Sequence, residues 1–258
     1  MPMLFLKMTI RAMMKIGGSK LKFQQIASGS SGNMYIVTAT NGNRLIIECG
    51  IPKNEMLKGL RFNSKGIEGC FISHLHKDHS KSIKDVLRSG IDVFANKSTL
   101  ESHKLLNTRR AKVIDNKTLI KTKSFTVLCF DVNHDVPTLG FMVNETATNE
   151  KLLFATDTSH ISQRFKWAFD IIAMECNYDK DILNRAVENE SIHESHAKRL
   201  LESHMEKSET MRYIKEFVNT SKLRELHLLH LSDGNIDAEK TQQRFKDKFF
   251  IDTKIVGD

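Results

Sequence analysis

EGCFISHLHKDHSKS, residues 68–82, decides the fold. An apolar run of strand character, residues 68–73, empties into His74, His76, Asp78 and His79, four ligating side chains within six positions. His74 and His76 are two apart, so a strand continuing through them would project both from one side. Asp78 and His79 fall on the turn into the next helical pattern. One tetrahedral ion cannot use four ligands from so short a segment, so two neighbouring divalent ions are the economical reading.

Two ions need more partners, and three other strand-like runs end in suitable ones. His134 follows SFTVLCFDVN (124–133), Asp157 follows KLLFAT (151–156), and His230 nearly closes LRELHLLHL (223–231). A lone polar residue at a strand end is ordinarily a hydrogen-bonded turn residue. The HxHxDH segment alters that expectation, because its ions require ligands from elsewhere.

Further runs at residues 22–27, 33–39, 44–49, 139–143 and 170–175 also predict strands. Asn41-Gly42 predicts a tight hairpin between the second and third strands, since both residues tolerate positive φ. Helical periodicity covers residues 53–60, 80–88, 97–106, 179–187, 191–204, 208–218 and 238–248. Early hairpins followed by alternating strands and helices predict an α/β (α+β) fold with two sheets face to face and helices outside. The expected organisation is an N-terminal tail, residues 1–20, and one domain, residues 21–258.

Composition excludes several classes. The 258 residues are 40% hydrophobic and 27% charged with 13 Gly and 3 Pro, which fits a folded globular chain and not a disordered one. No window holds the ~18 consecutive apolar residues of a membrane span. The basic, acid-free N-terminal stretch has a broken apolar pattern and no small-residue cleavage site, so it is not a secretory signal. Cys49, Cys70, Cys129 and Cys176 lack CxxC spacing and read as buried thiols of the cytoplasm.

The net charge of +8 is unevenly distributed. Lys97, Lys104, Arg109, Arg110, Lys112, Lys117, Lys121 and Lys123 stand against only Glu101 and Asp115, a stretch that attracts polyanions or forms a solvated basic face.

The ordered set HxHxDH, His, Asp, His resembles the metallo-β-lactamase superfamily from Lys22 onward. The resemblance implies a four-layer αββα sandwich with metals at one edge of the sheets. It assigns His74, His76 and His134 to one ion, Asp78, His79 and His230 to the other, and Asp157 as the bridge. True β-lactamases of this fold usually carry Cys at the Asp157 position, so the resemblance points to phosphodiesterase, nuclease or glyoxalase II branches. SGSSGN (28–33), IIECG (46–50), FATDTS (154–159), MECNYD (174–179) and LLHLSDGN (228–235) look like the WalJ (YycJ) branch and its phage relatives. That likeness implies a 5′-to-3′ DNA exonuclease in recombination or repair, with a single-strand annealing protein as a further partner. Glu48 departs from the Asp usual in the family's second strand, and is expected to orient a ligand or loop rather than bind metal.

Two divalent ions, Zn or Mn, would leave a cationic site for a phosphodiester once Asp78, Asp157 and a bridging hydroxide are counted. His204 and Asp78 are the catalytic candidates. His204 resembles in position the general acid of nuclease relatives; the alternative is a helix-end His in a His-rich stretch with His193 and His196. Asn177 and Ser232 flank the motifs and are expected to contact phosphate or orient ligands. Ser30, Ser31 and Asn33 either present N–H groups to an anion or form a tight connection in which Gly29 and Gly32 take special dihedrals. His103, His160 and His227 are expected to be ordinary structural residues. The competing functions are a cyclic-nucleotide phosphodiesterase or RNase of the same fold, and a non-catalytic DNA-binding module with structural metal.

Overall fold

Asn41-Gly42 forms the expected hairpin: Gly42 has φ +85° and donates its N–H to Ala39 O, turning β2 (Met34–Thr38) back into β3 (Arg44–Ile47). The chain is seen in a computed structural model that describes residues 20–257. The expected tail, apart from Lys20, lies outside the described residues.

Two sheets build the body. In the first, β1 (Lys22–Ala27), β2 and β3 run antiparallel, and β4 (Ile67–Ile72), β5 (Val93–Ala95) and β6 (Ala111–Val113) continue in parallel with β3. In the second, β7 (Leu119–Lys121), β8 (Phe125–Val132), β9 (Thr138–Glu145) and β10 (Lys151–Ala155) form an antiparallel meander. β12 (Ile171–Glu175), β14 (Glu225–Leu229) and β15 (Asp252–Lys254) extend it in parallel with β10. β11 (Phe165–Ala168) and β13 (Val218–Asn219) form a small separate pair.

The strands are apolar on both faces, and alternate residues serve different layers. Tyr35, Val37, Leu45 and Ile47 meet Phe125, Phe141, Leu152 and Phe154 between the sheets. Their neighbours Met34, Ile36 and Ile46 pack outward with Met56, Ile83, Val86 and Leu100. These belong to α1 (Lys53–Gly59), α3 (Ile83–Arg88) and α4 (Lys97–Ser102). On the other side Leu153, Ile172 and Met174 pack with Tyr213, Ile214 and Phe245 of α7 (Lys207–Phe217) and α8 (Ala238–Phe249). The result is the expected four-layer sandwich. Each fully buried Leu, Ile or Phe contributes roughly 1.5–3 kcal/mol to these layers. Among the described residues no helix is long and apolar enough to cross a membrane.

Fifteen strands exist among the described residues, against nine expected. β5, β6, β7, β11, β13 and β15 are two to four residues long, too short to show a period in the sequence. The helix expected at residues 80–88 is broken into α2 (Lys77–Ser80) and α3. Ser82, between them, gives its N–H to Cys49 O and its hydroxyl to Ile51 O, so tertiary partners replace the helical ones.

β1, β3, β4, β8, β10, β12 and β14 all end at the same edge of the sandwich, because each antiparallel reversal is followed by another. At that edge the exit of β3 lies against α2 with no room to spare. A Cβ on Gly50 would sit 1.6 Å from Asp78 O and 2.5 Å from His79 N. Gly50→Ala should therefore destabilise the protein by about 3 kcal/mol, read as a lowered urea midpoint.

Candidate metal centre

Five of the seven ligating candidates stand where a strand reaches this edge, and Asp78 and His79 lie in α2. His74 and His76 follow β4, His134 follows β8, Asp157 follows β10, and His230 follows β14, with Glu48 after β3. Glu48, Asp157 and His230 are held at φ +62°, +50° and +53°, a left-handed conformation that side chains other than Gly adopt at a cost of order 1–3 kcal/mol. Backbone hydrogen bonds hold two of them there, Glu48 N–H to Phe71 O and His230 N–H to Ser28 Oγ, while Thr156 Oγ1 donates to the Asp157 carboxylate at Oδ1.

All seven residues converge. His74, His76, His134 and Asp157 form one quartet, and Asp78, His79, His230 and Asp157 another, with the ligand atoms of each within 4.8 Å of one another. Asp157 Oδ2 lies 3.8 Å from His74 Nε2, 3.8 Å from His134 Nε2 and 3.3 Å from His79 Nε2, while its Oδ1 is 3.8 Å from His230 Nε2. Asp78 Oδ2 is 3.3 Å from His79 Nε2 and 3.9 Å from His230 Nε2. Ligands bonded at about 2.0–2.2 Å in a tetrahedron stand roughly 3.3–3.6 Å apart, so the spacing fits a divalent ion in each quartet. β4 stops at Ile72, so continued strand geometry does not bring His74 and His76 together; a turn does, placing His74 Nε2 3.0 Å from His76 Nδ1.

The surroundings also suit metal. His134 Nδ1–H donates to Ser203 O at 3.0 Å, and His134 Nε2 is buried without a partner, as is His230 Nε2. Such orphaned buried ring nitrogens are costly unless something fills their place. His74 Nδ1 meets Ser73 Oγ at 2.8 Å, and Asn177 Nδ2 meets His230 Nδ1 at 2.9 Å, so outer partners orient these rings. Glu48 accepts from Ser73 N–H and lies 3.6 Å from His79 Nδ1, at the turn and ring it was expected to orient; burial raises its own pKa.

The titrating groups largely sit in the ligating form. Burial pushes the Asp157 carboxyl up, but His230, His79 and His74 outweigh it and hold it well below the carboxylate range. Asp78 is likewise lowered, against its burial, by the neighbouring His230 and His79 rings. Burial keeps His74 and His134 neutral. His79 is the exception: Asp157 and Glu48 overcome burial and raise it, so ion binding there must displace a proton.

His204 closes the centre from the side. Its ring stacks on His230 at 5.2 Å and 10°, and its Nδ1–H donates to Glu175 Oε1 at 2.6 Å. Glu175 is fully buried at the end of β12, and its other oxygen accepts from Thr158 N–H. Sequence reasoning quoted Glu175 within a motif without giving it a role; its position at the end of an apolar strand, matching Asp157 and His230, was the available signal. Burial lowers His204, but the Glu175 carboxylate prevails and raises its pKa to about 9. Ser232 N–H donates to Asn177 O, so Ser232 and Asn177 brace the His230 loop. His103 bonds Ser80 Oγ, His227 packs against Phe23, and His160 pairs with Asn133, all outside the seven.

The basic stretch is divided. Parallel pairing of β6 with β5 puts Arg109 and Arg110 at the far edge, where Arg110 pairs with Asp92 at 2.7 Å. The antiparallel β7 likewise carries Lys121 and Lys123 away from the centre. It is not a continuous track to the site.

The sequence profile of the Beta-lactamase superfamily domain matches residues 44–227. Anti-Pycsar protein Apyc1 of Bacillus phage vB_BveM-Goe7 is 32% identical over 71 residues, 25% of this chain and 27% of that protein. The chain thus spans about a quarter of the length of the curated relatives it matches. The metallo-beta-lactamase fold protein YhfI from Bacillus subtilis shares the fold with a TM-score of 0.71 at 17% identity, over 92% of this chain and 97% of that one. Human tRNase Z, short form, gives 0.63 at 16% over 92% and 96%, and unliganded yeast PDE1 gives 0.61 at 10% over 92% and 96%.

The two quartets share one carboxylate, so their losses should be unequal. Mass-spectrometric metal analysis should find two ions per reconstituted chain, about one in His134→Ala, and fewer than one in Asp157→Ala. Two ions retained by Asp157→Ala would contradict the shared bridge.

Proposed function

The chain belongs to the Beta-lactamase superfamily domain family, and from that premise we propose a dinuclear-metal phosphodiesterase acting on nucleic acid, a 5′-to-3′ DNA exonuclease of the WalJ (YycJ)-like and phage branch. The observation that carries the reading is the pair of quartets meeting on Asp157, with His204 held protonated beside them. When bound, two divalent cations lower the pKa of water and neutralise charge on phosphoryl oxygens.

The chain's own residues would do the rest. Asp157, 4% exposed at its side chain, would be shared by the two quartets and set their spacing. Asp78, 26% exposed, is open to solvent, and it would accept a hydrogen bond from the attacking water. His204 spends Nδ1–H on Glu175, which leaves Nε2–H for the departing sugar oxygen. Glu175 holds that tautomer and stabilises the imidazolium.

A module with one structural ion would need only one closed quartet, and two quartets with a shared ligand exceed that need. The second catalytic reading is a cyclic-nucleotide phosphodiesterase, favoured by the local likeness to the phage anti-Pycsar protein. Digestion of 5′-phosphorylated duplex DNA with Mn²⁺ or Zn²⁺ separates the two. Nucleotide release by the wild type, abolished by chelator and in His76→Ala, is expected. Hydrolysis of cyclic mononucleotides with no action on DNA would favour the second reading.

His204→Ala should lower kcat on DNA by about 10²–10⁴, the usual contribution of a general acid. It should cost far less on bis(p-nitrophenyl) phosphate, whose leaving group needs no proton. A group that must be protonated is lost as pH rises through its pKa, and neighbouring cations pull His204 below about 9. Wild-type kcat on DNA should therefore decline on the alkaline side at or below pH 9, and His204→Ala should lack that limb.

A further inference from the structure

Beside Asp78 a cavity of ≈ 240 Å³ opens at the same edge, lined by Ser30, Ser31, Gly50, Lys77, Asp78 and Lys81. From it we infer a second phosphate subsite, which holds the phosphate of the nucleotide adjoining the scissile bond; it rests on the phosphodiesterase reading of the metal centre. The cavity has room for about eight waters at roughly 30 Å³ each, enough for a phosphodiester link with its hydration.

Its donor side chains are exposed and make no hydrogen bond or ion pair among the described residues. No carboxylate lies within 4.0 Å of Lys77 Nζ or Lys81 Nζ among the described residues, in contrast to Lys58, Lys97 and Lys207, which are all paired. Ser30 and Ser31 are the central residues of the turn closed by Gly32 N–H to Gly29 O, and their hydroxyls and N–H groups have no partner among the described residues. Two free ammonium groups and two free hydroxyls around one cavity suit a dianionic or monoanionic oxygen cluster, and Asp78 sets which end of the cavity the anion avoids.

The cavity is rigidly tied to the centre. Asn33 N–H donates to Asp78 O at 2.8 Å, Gly50 N–H to Asn33 O at 2.9 Å, and Cys49 N–H to His79 O at 2.8 Å. The serine turn, the β3 exit and α2 therefore move as one body with the quartet that contains Asp78 and His79. Past Ser31 the surface continues into a mostly apolar cavity of ≈ 500 Å³ walled by Ile26, Ile51 and Pro52, with the Glu55–Lys58 ion pair also lining it. A polar recess followed by an apolar one is the order of phosphate and base along a nucleic-acid strand, and apolar walls accept any base. The subsite would make the enzyme select substrates with at least two linked phosphates over mononucleotide esters.

The test compares 5′-phosphorylated oligonucleotide with bis(p-nitrophenyl) phosphate, which has one phosphate and fills only the centre. Lys77→Ala/Lys81→Ala should lower kcat/KM on the oligonucleotide at least tenfold more than on the small ester. It should also flatten the log–log salt dependence of single-strand affinity by about 0.7, the contribution of the one phosphate no longer neutralised. Lys77→Arg/Lys81→Arg should restore most of both. Equal losses on the two substrates, or an unchanged oligonucleotide rate and salt slope, overturn the subsite while leaving the phosphodiesterase reading in place. Hydrolysis of neither substrate by the wild type overturns both.

Discussion

Like charges cannot be crowded at one edge of a dry sandwich unless something of opposite sign answers them. Here one buried carboxylate, Asp157, faces imidazoles from three strand ends, and the arrangement of the whole edge follows from that constraint. Four ring nitrogens lie within 3.8 Å of its two oxygens, and two of those nitrogens have no hydrogen-bond partner. In low dielectric an ionised acid and unpaired ring nitrogens are both expensive, and divalent cations between them would relieve both.

The scaffold holds that costly edge through its backbone. Glu48, Asp157 and His230 turn out of their strands in left-handed conformations, so their side chains point where regular strand geometry would not send them. Hydrogen bonds to Phe71 and Ser28 fix the turns at Glu48 and His230, and the apolar layers on both sides of each sheet supply the stability that permits them. The same close packing explains why Gly50 admits no side chain: the exit of β3 and the start of α2 are in backbone contact.

Acid–base capacity arises beside the centre rather than in it. Glu175 is buried and commits one oxygen to Thr158 N–H, leaving the other for His204. The pair sets both the tautomer and the charge of an imidazole stacked on His230. Outer hydrogen bonds of this kind, between His134 and Ser203 and between His74 and Ser73, also decide which ring nitrogen of each histidine faces inward.

Much was legible in the amino-acid order. Nine longer strands, the Asn41-Gly42 hairpin, the four layers and the seven converging side chains follow from patterns of period two and from HxHxDH, because local chemistry and burial repeat at short range. The six short strands were not legible, since two to four residues give no period and their pairing comes from neighbours distant in the chain. The break of the second helix at Ser82 depended on carbonyls of Cys49 and Ile51 some thirty positions away. By itself the sequence determined which residue types could ligate and in which strands they lie. Only tertiary structure decided that Glu175 meets His204, that Arg109, Arg110, Lys121 and Lys123 lie away from the centre, and that Lys77 and Lys81 share a cavity with Ser30 and Ser31. The physical reason is that strand direction and loop docking, which no local pattern encodes, set which side chains share one low-dielectric space.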